Sequence, residues 1–91
     1  MEKIKETIER FKQCPHFKVF STNIGELTER DGRIIKVGFI EFVDIRGNAF
    51  LYFSTLHEIK NILNVSDFEI QGRPQRPITY TLSFNHENFL D

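Results

Sequence analysis

The sequence predicts an α+β fold with the element order α-β-β-β-α-β-β, in which two helices pack on one face of a mostly antiparallel five-stranded sheet. Three observations predict this class. Two segments place apolar residues at helical spacing, other segments alternate apolar and polar residues as strands do, and an Asp-Gly pair separates two of those strands. Residues 1–91 contain no internal repeat, linker or low-complexity run, so we expect a single globular domain.

A first helix is predicted over residues 2–13. Ile4, Ile8 and Phe11 recur at helical spacing and charged residues fill most other positions, which is typical of an amphipathic helix with a narrow apolar stripe. Pro15 biases the preceding residue away from helical geometry and therefore ends the helix.

The first two strands are predicted to form a hairpin. Residues 17–22 are rich in β-branched and aromatic side chains, and Ile24 and Leu27 extend this strand past a looser stretch that fits a bulge. The Asp31-Gly32 pair then predicts a tight turn, because glycine tolerates the positive φ that such a turn demands.

The second strand is predicted over residues 34–45. Apolar residues fall on both of its faces, which indicates either a central strand or a bulge near Gly38 that changes which face is buried. A short turn at residues 46–48 then leads into a third strand, residues 49–53, which we expect to complete an antiparallel meander.

A second helix and two more strands are predicted to follow. Thr55 and Glu58 fit a capping box, in which each side chain satisfies a free backbone N–H group at the start of a helix, and Asn64 suits the left-handed position that ends it. The fourth strand is predicted over residues 67–71 and the fifth over residues 78–84, because apolar and polar residues alternate in both.

Two further segments are candidates for contact with a partner. Residues 72–77 contain two prolines, which lack the donor that a strand ladder needs, so this segment is predicted to be an exposed connection. In the tail, Phe89 and Leu90 either pack back on the domain or remain available to a partner.

Composition and charge argue against several functional classes. The net charge of −1 and a pI near 6.3 offer little attraction to nucleic acid or to an anionic membrane, and no apolar run is long enough to span a bilayer. Lys3 and Lys5 alternate with acidic residues and no continuous apolar segment follows, so we expect no secretory signal and a cytoplasmic location. Ten phenylalanines predict a small core filled by large rings.

The sequence predicts no cofactor, no metal site and no catalytic group. The five glycines are isolated, so no loop resembles a phosphate cradle. A zinc site would draw on Cys14, His16 and another histidine, but only one pair of ligands has suitable spacing. Catalysis by Cys14 would need a base held by a third group, which no motif identifies, so an enzyme is the least favoured hypothesis.

We therefore expect a small non-catalytic module for protein interaction, regulation or inhibition. Its expected partner is another protein or a second copy of the same chain, in which case it forms a homodimer. The expected surface is a sheet edge, formed either by the third strand (49–53) or by the final strand (78–84), together with the arginine loop, residues 73–77. Two guanidinium groups on a stiff, proline-bounded loop lose little entropy on binding. The residues of the expected surface are Arg73, Gln75, Arg76, Tyr80 and Phe89.

The alternative hypothesis is a module that binds single-stranded nucleic acid through basic side chains around exposed rings on a sheet face. Its candidate residues are Lys18, Phe20, Arg46 and Tyr52. We favour a protein partner, because a near-neutral chain makes few phosphate contacts, and we expect no membrane partner.

Overall fold

The computed structural model describes residues 2–46, 53–73 and 78–90. In chain order the elements are α1 (Glu2–Lys12), β1 (Phe17–Thr28), β2 (Ile34–Asp44), α2 (Phe53–Leu63), β3 (Glu69–Arg73) and β4 (Thr79–Asn85), followed by a short 3-10 helix (His86–Asn88). Neither described helix is long and apolar enough to cross a membrane.

The sheet has the strand order β1-β2-β4-β3, and every neighbouring pair is antiparallel. The α+β class, with two helices and an antiparallel sheet, is therefore confirmed. The prediction of five strands is wrong for the described residues, which form four. The side of β2 where a meander would place its third strand is occupied by β4. Of the predicted third strand 49–53, residues 49–52 lie outside the described residues and Phe53 begins α2.

The hairpin between β1 and β2 follows the predicted turn chemistry. Gly32 has a φ of 86° and its N–H donates to the Glu29 carbonyl at 2.9 Å, and the Glu29 N–H donates to the Arg33 carbonyl at 2.8 Å. β1 extends to Thr28, as Ile24 and Leu27 predict. The register shifts between Val19 and Ser21, so the bulge lies in β1 near Phe20. It comes before the looser stretch at residues 23–25 and lies in the strand that pairs with β2, which contains Gly38.

Both helices cover the same face of the sheet. Apolar residues of α1 and α2 share one core with alternate residues of β2 and β4, which point to one side of a pleated strand. The core side chains from these four elements are Ile4, Ile8, Phe11, Ile40, Phe42, Ile59, Leu63, Tyr80, Leu82 and Phe84. We call the opposite side of the sheet the open face.

Glycine at position 38 lets the helix layer approach the sheet closely. A Cβ atom there would lie 2.7 Å from Cζ of Phe84 and 3.0 Å from Cγ2 of Ile4. Gly38 is therefore a site of close packing in the central strand and not the site of the bulge.

Four of the nine described phenylalanines, namely Phe11, Phe17, Phe42 and Phe84, are buried in the core, and Phe68 and Phe89 pack against it. Phe11 stacks on Phe17 with ring centroids 5.1 Å apart, and both contact Phe42 edge-on at 5.1 Å. Phe20 and Phe53 are exposed instead. The described rings thus divide between the core and the surface.

The second helix begins earlier than its predicted cap. Because α2 starts at Phe53, Thr55 and Glu58 lie inside the helix, where Thr55 is buried. The capping box is therefore wrong. The predicted end is confirmed, since Asn64 has a φ of 55° and its N–H donates to the Lys60 carbonyl at 2.8 Å.

A side chain from α1 also bonds the end of α2. Arg10 Nε donates to the Ile62 carbonyl at 2.7 Å, and Arg10 Nη2 donates to the Leu63 carbonyl at 3.4 Å. These carbonyls belong to the last turn, which has no intrahelical donor for them. The contact fixes the two helices relative to each other.

Candidate functional site

Strand β3 forms one edge of the described sheet, and β4 lies between β2 and β3. The prediction that residues 78–84 form an edge is therefore wrong, because this strand has a neighbour on each side. Glu69, Gln71 and Arg73 oppose Ser83, Thr81 and Thr79, which places them on the open face. All three are exposed, whereas Ile70 is half-buried against the core. We call the strand Glu69–Arg73 the β3 edge. It presents the carboxylate of Glu69 at one end, the amide of Gln71 at the centre and the guanidinium of Arg73 at the other end.

The residues predicted for a partner surface separate into three groups. Arg73 lies on the β3 edge and is exposed, while Gln75 and Arg76 lie outside the described residues. Tyr80 belongs to the core, where its ring is 5.6 Å from Phe42. Tyr80 is therefore not accessible to a partner.

The predicted tail residues also divide. Phe89 is half-buried, and its ring centroid lies 6.1 Å from that of Phe84. Lys3 Nζ lies 4.9 Å from the centroid of the Phe89 ring. Its backbone forms a bridge to Val65. Leu90 is exposed. Phe89 thus packs back on the domain, which removes it from the expected contact surface.

The nucleic-acid candidates are brought together only in part. Lys18 Nζ lies 5.8 Å from the ring centroid of Phe20, which is 55% exposed at the bulge of β1. Tyr52 lies outside the described residues. Arg46 is held by two carboxylates, so its charge is balanced within the protein and is poorly placed to bind phosphate.

A second group of polar residues meets where α1 ends, β2 ends and α2 passes. We call it the polar cluster, and it consists of Cys14, His16, Asp44, Arg46 and Glu58. His16 Nδ1 lies 2.9 Å from Glu58 Oε2, and Arg46 Nη2 donates to Glu58 Oε1 at 3.4 Å. Both carboxylate oxygens of Glu58 are therefore engaged.

Asp44 holds the guanidinium group of the polar cluster in place. Arg46 Nε donates to Asp44 Oδ1 at 2.9 Å and Nη2 donates to Oδ2 at 2.8 Å, which is the bidentate geometry that suits a guanidinium and a carboxylate. The hydrogen bond with Asp44, followed by the charges of Asp44, Glu58 and Cys14, raises the pKa of Arg46. Arg46 thus stays charged and links β2 to α2.

Beside the polar cluster lies an open cavity of ≈ 630 Å³. Cys14 and Glu58 are on its wall, together with Arg10, Ser54, His57 and Asn61. Sγ of Cys14, one ring nitrogen of His16 and one carboxylate oxygen of Glu58 all lie within 4.8 Å of one another. A thiol, an imidazole and a carboxylate therefore converge next to accessible space.

The sequence identified Cys14 and His16 as a pair but missed their third member. Glu58 is separated from His16 by 42 positions, and its spacing from Thr55 suggested a helix cap instead. No local pattern contains this contact, because packing of α2 against the end of α1 creates it. The sequence shows only that Glu58 is an acidic residue beside buried positions of a helix. Acidic residues in such places are too common to identify a site.

The chain matches no protein-family model, no curated protein and no solved structure.

Proposed function

We propose that this protein is a non-catalytic interaction module that binds protein by pairing backbone at the β3 edge, and that one partner is a second copy of the same chain. The observation that carries the proposal is the exposed edge strand whose charges are arranged symmetrically about Gln71. The outward N–H and C=O groups of an edge strand are a template for pairing with another strand.

Antiparallel pairing of two β3 edges about a two-fold axis at Gln71 matches opposite charges. Glu69 of each chain then lies opposite Arg73 of the other, on the same face, so the match occurs twice. Opposite charges in directly facing positions contribute roughly 0.2–1 kcal/mol each. Such an interface is self-complementary, which is what a two-fold dimer requires.

The open face is a weaker candidate than the edge. Its centre carries polar side chains around Phe39, namely Ser21, Asn23, Glu41 and Thr81. Among the described residues, the large exposed apolar side chains lie elsewhere, at the bulge, the hairpin end, the end of β2, the start of α2 and the tail. Backbone pairing needs no apolar patch, since main-chain hydrogen bonds supply the affinity.

Charge exchange across the dimer tests this arrangement. Sedimentation velocity over a range of concentrations, with reductant to keep Cys14 from forming a disulfide between chains, should show a reversible monomer–dimer equilibrium. Arg73→Glu should shift it to monomer, because acidic residues then face acidic residues. Combining Arg73→Glu with Glu69→Arg should restore the dimer. Arg30→Glu is the matched control, since Arg30 is also exposed but lies in the hairpin loop.

Hydrogen exchange gives an independent readout of the same interface. Amides of the β3 edge should exchange more slowly as protein concentration rises, whereas those of β1 should not change. A chain that stays monomeric at every concentration, or a dimer indifferent to all the charge variants, contradicts the proposal.

A further inference from the structure

We propose that Cys14, His16 and Glu58 form a binding site for a divalent transition metal of the zinc type. The site shares no residue with the β3 edge and does not depend on the proposed dimer. In a tetrahedral zinc site, two ligand atoms lie about 1.6 bond lengths apart, roughly 3.3–3.8 Å. Because the three candidate ligand atoms already lie within 4.8 Å of one another, small side-chain rotations bring them into range.

The backbone that carries Cys14 and His16 is fixed by the core on both sides. Phe11 and Phe17, which flank this segment, are buried and stacked on each other. The Cys14 N–H donates to the Phe11 carbonyl at 3.1 Å, and the His16 carbonyl accepts from the Ile45 N–H at 2.9 Å. The two ligand positions are therefore ordered before any metal binds, which lowers the entropy cost of binding.

Glu58 is held in a similar way from the helix side. Its neighbour Ile59 is fully buried, which sets the orientation of this turn of α2. Arg46 contacts Oε1, and Oε2 is directed at His16. A metal ion would take the place of the proton shared between His16 and Oε2, while Arg46 would remain as the outer-shell partner that orients the carboxylate.

The charges of the three ligands suit a divalent ion. A thiolate and a carboxylate with a neutral imidazole carry a charge of −2, and the neighbouring Asp44 and Arg46 cancel each other. The thiol proton is released to solvent on binding. Sulfur disfavours Mg²⁺ and Ca²⁺, whereas sulfur, nitrogen and oxygen together suit Zn²⁺ and Co²⁺.

The cavity beside Cys14 and Glu58 leaves room for a fourth ligand. Zinc sites with three protein ligands keep one position for water or another small molecule. We therefore assign an open site and not a closed structural one. His57 lines the same cavity but is not among the three converging ligands, which makes it a matched control.

Titration with Co²⁺ under reducing conditions tests the site. Binding should produce the near-ultraviolet charge-transfer band of a thiolate–cobalt bond and the visible bands of a four-coordinate ion, and Zn²⁺ should abolish both. Cys14→Ser should remove the charge-transfer band. His16→Asn and Glu58→Gln should weaken binding by more than the roughly 10- to 100-fold effect of losing an outer-shell partner. His57→Asn should leave the affinity and the spectrum unchanged.

Each alternative outcome overturns the assignment. If the wild-type protein shows no thiolate–cobalt band, Cys14 is not a ligand, whatever the folding of the variants. If His57→Asn weakens binding as much as His16→Asn, the metal is held by surface histidines and not by the polar cluster. Circular dichroism of each variant separates loss of a ligand from loss of the fold.

Discussion

The two edges of the sheet are built differently. β1 has twelve residues, a bulge near Phe20, and a first residue, Phe17, that is buried in the aromatic core. β3 has five residues in continuous register with β4, and only Ile70 packs toward the core. One edge is long, interrupted and firmly anchored, and the other is short, regular and lightly attached.

This difference explains why the shorter edge is the better candidate for pairing. A bulge breaks the regular alternation of backbone groups, and a lysine beside it adds charge, both of which discourage another strand from docking on β1. β3 lacks a register shift and carries opposite charges at its two ends. Regularity and charge pattern, more than length, distinguish a usable edge.

The largest expected effect concerns how firmly each edge is anchored. Phe17→Ala removes a ring that contacts two other rings, so we expect it to lower the free energy of unfolding by about 3–5 kcal/mol. Ile70→Ala on the β3 edge should cost only roughly 1–2 kcal/mol, because Ile70 is half-buried. Denaturant unfolding of both variants measures the contrast. Equal losses would mean that the two edges are anchored alike.

A smaller effect on stability should appear at high pH, and it should come from Tyr80 in β4, beside the β3 edge. Burial, and then the charge of Asp44, raises the pKa of Tyr80, whose ring lies against Gly72 of the β3 edge. The unfolded chain ionises tyrosine near pH 10, at about the ordinary pKa. The stability that neutral Tyr80 contributes is therefore complete below about pH 10 and is lost as pH rises through the raised pKa.

Comparison with Tyr80→Phe isolates this contribution. The wild type should lose stability above about pH 10 more steeply than the variant, because phenylalanine has no proton to release. Unfolding free energies of the two proteins on either side of that pH provide the measurement. Parallel curves would show that Tyr80 ionises in the folded state as easily as in the unfolded chain.

The smallest expected effect lies on the β1 edge. Phe20→Thr replaces an exposed ring at the bulge with a β-branched residue, so the free energy of unfolding should change by no more than about 0.5 kcal/mol. The monomer–dimer equilibrium should also stay the same. If this variant no longer dimerises, the interface lies at β1 and not at β3.

Local patterns predicted the fold class, the hairpin turn, the end of α2 and the buried side of α1. Gly32 and Asn64 have the positive φ values that their positions in a turn and at a helix end demand, and the spacing of Ile4, Ile8 and Phe11 identified the buried side of α1. Each of these signals depends on neighbours within a few residues. They could be recognised without knowledge of the tertiary structure.

Long-range pairing and the polar cluster could not be predicted in the same way. The sequence gives no direct sign that β4 lies beside β2, since strand order depends on how the helices pack and connect. Thr55 and Glu58 satisfied a capping pattern, but burial of Thr55 and ion pairing of Glu58 placed them inside the helix. Tertiary contacts decided both cases against the local signal.

The bond from Arg10 to the last turn of α2 has a consequence for the order of folding. It joins residues 52 positions apart, so it forms only when the two helices meet, later than the local hydrogen bonds within either helix. During synthesis α1 is made before α2, so this contact cannot form until α2 has followed. The contact between the two helices is thus completed only after the strands β1 and β2, which lie between them in the chain, have been made.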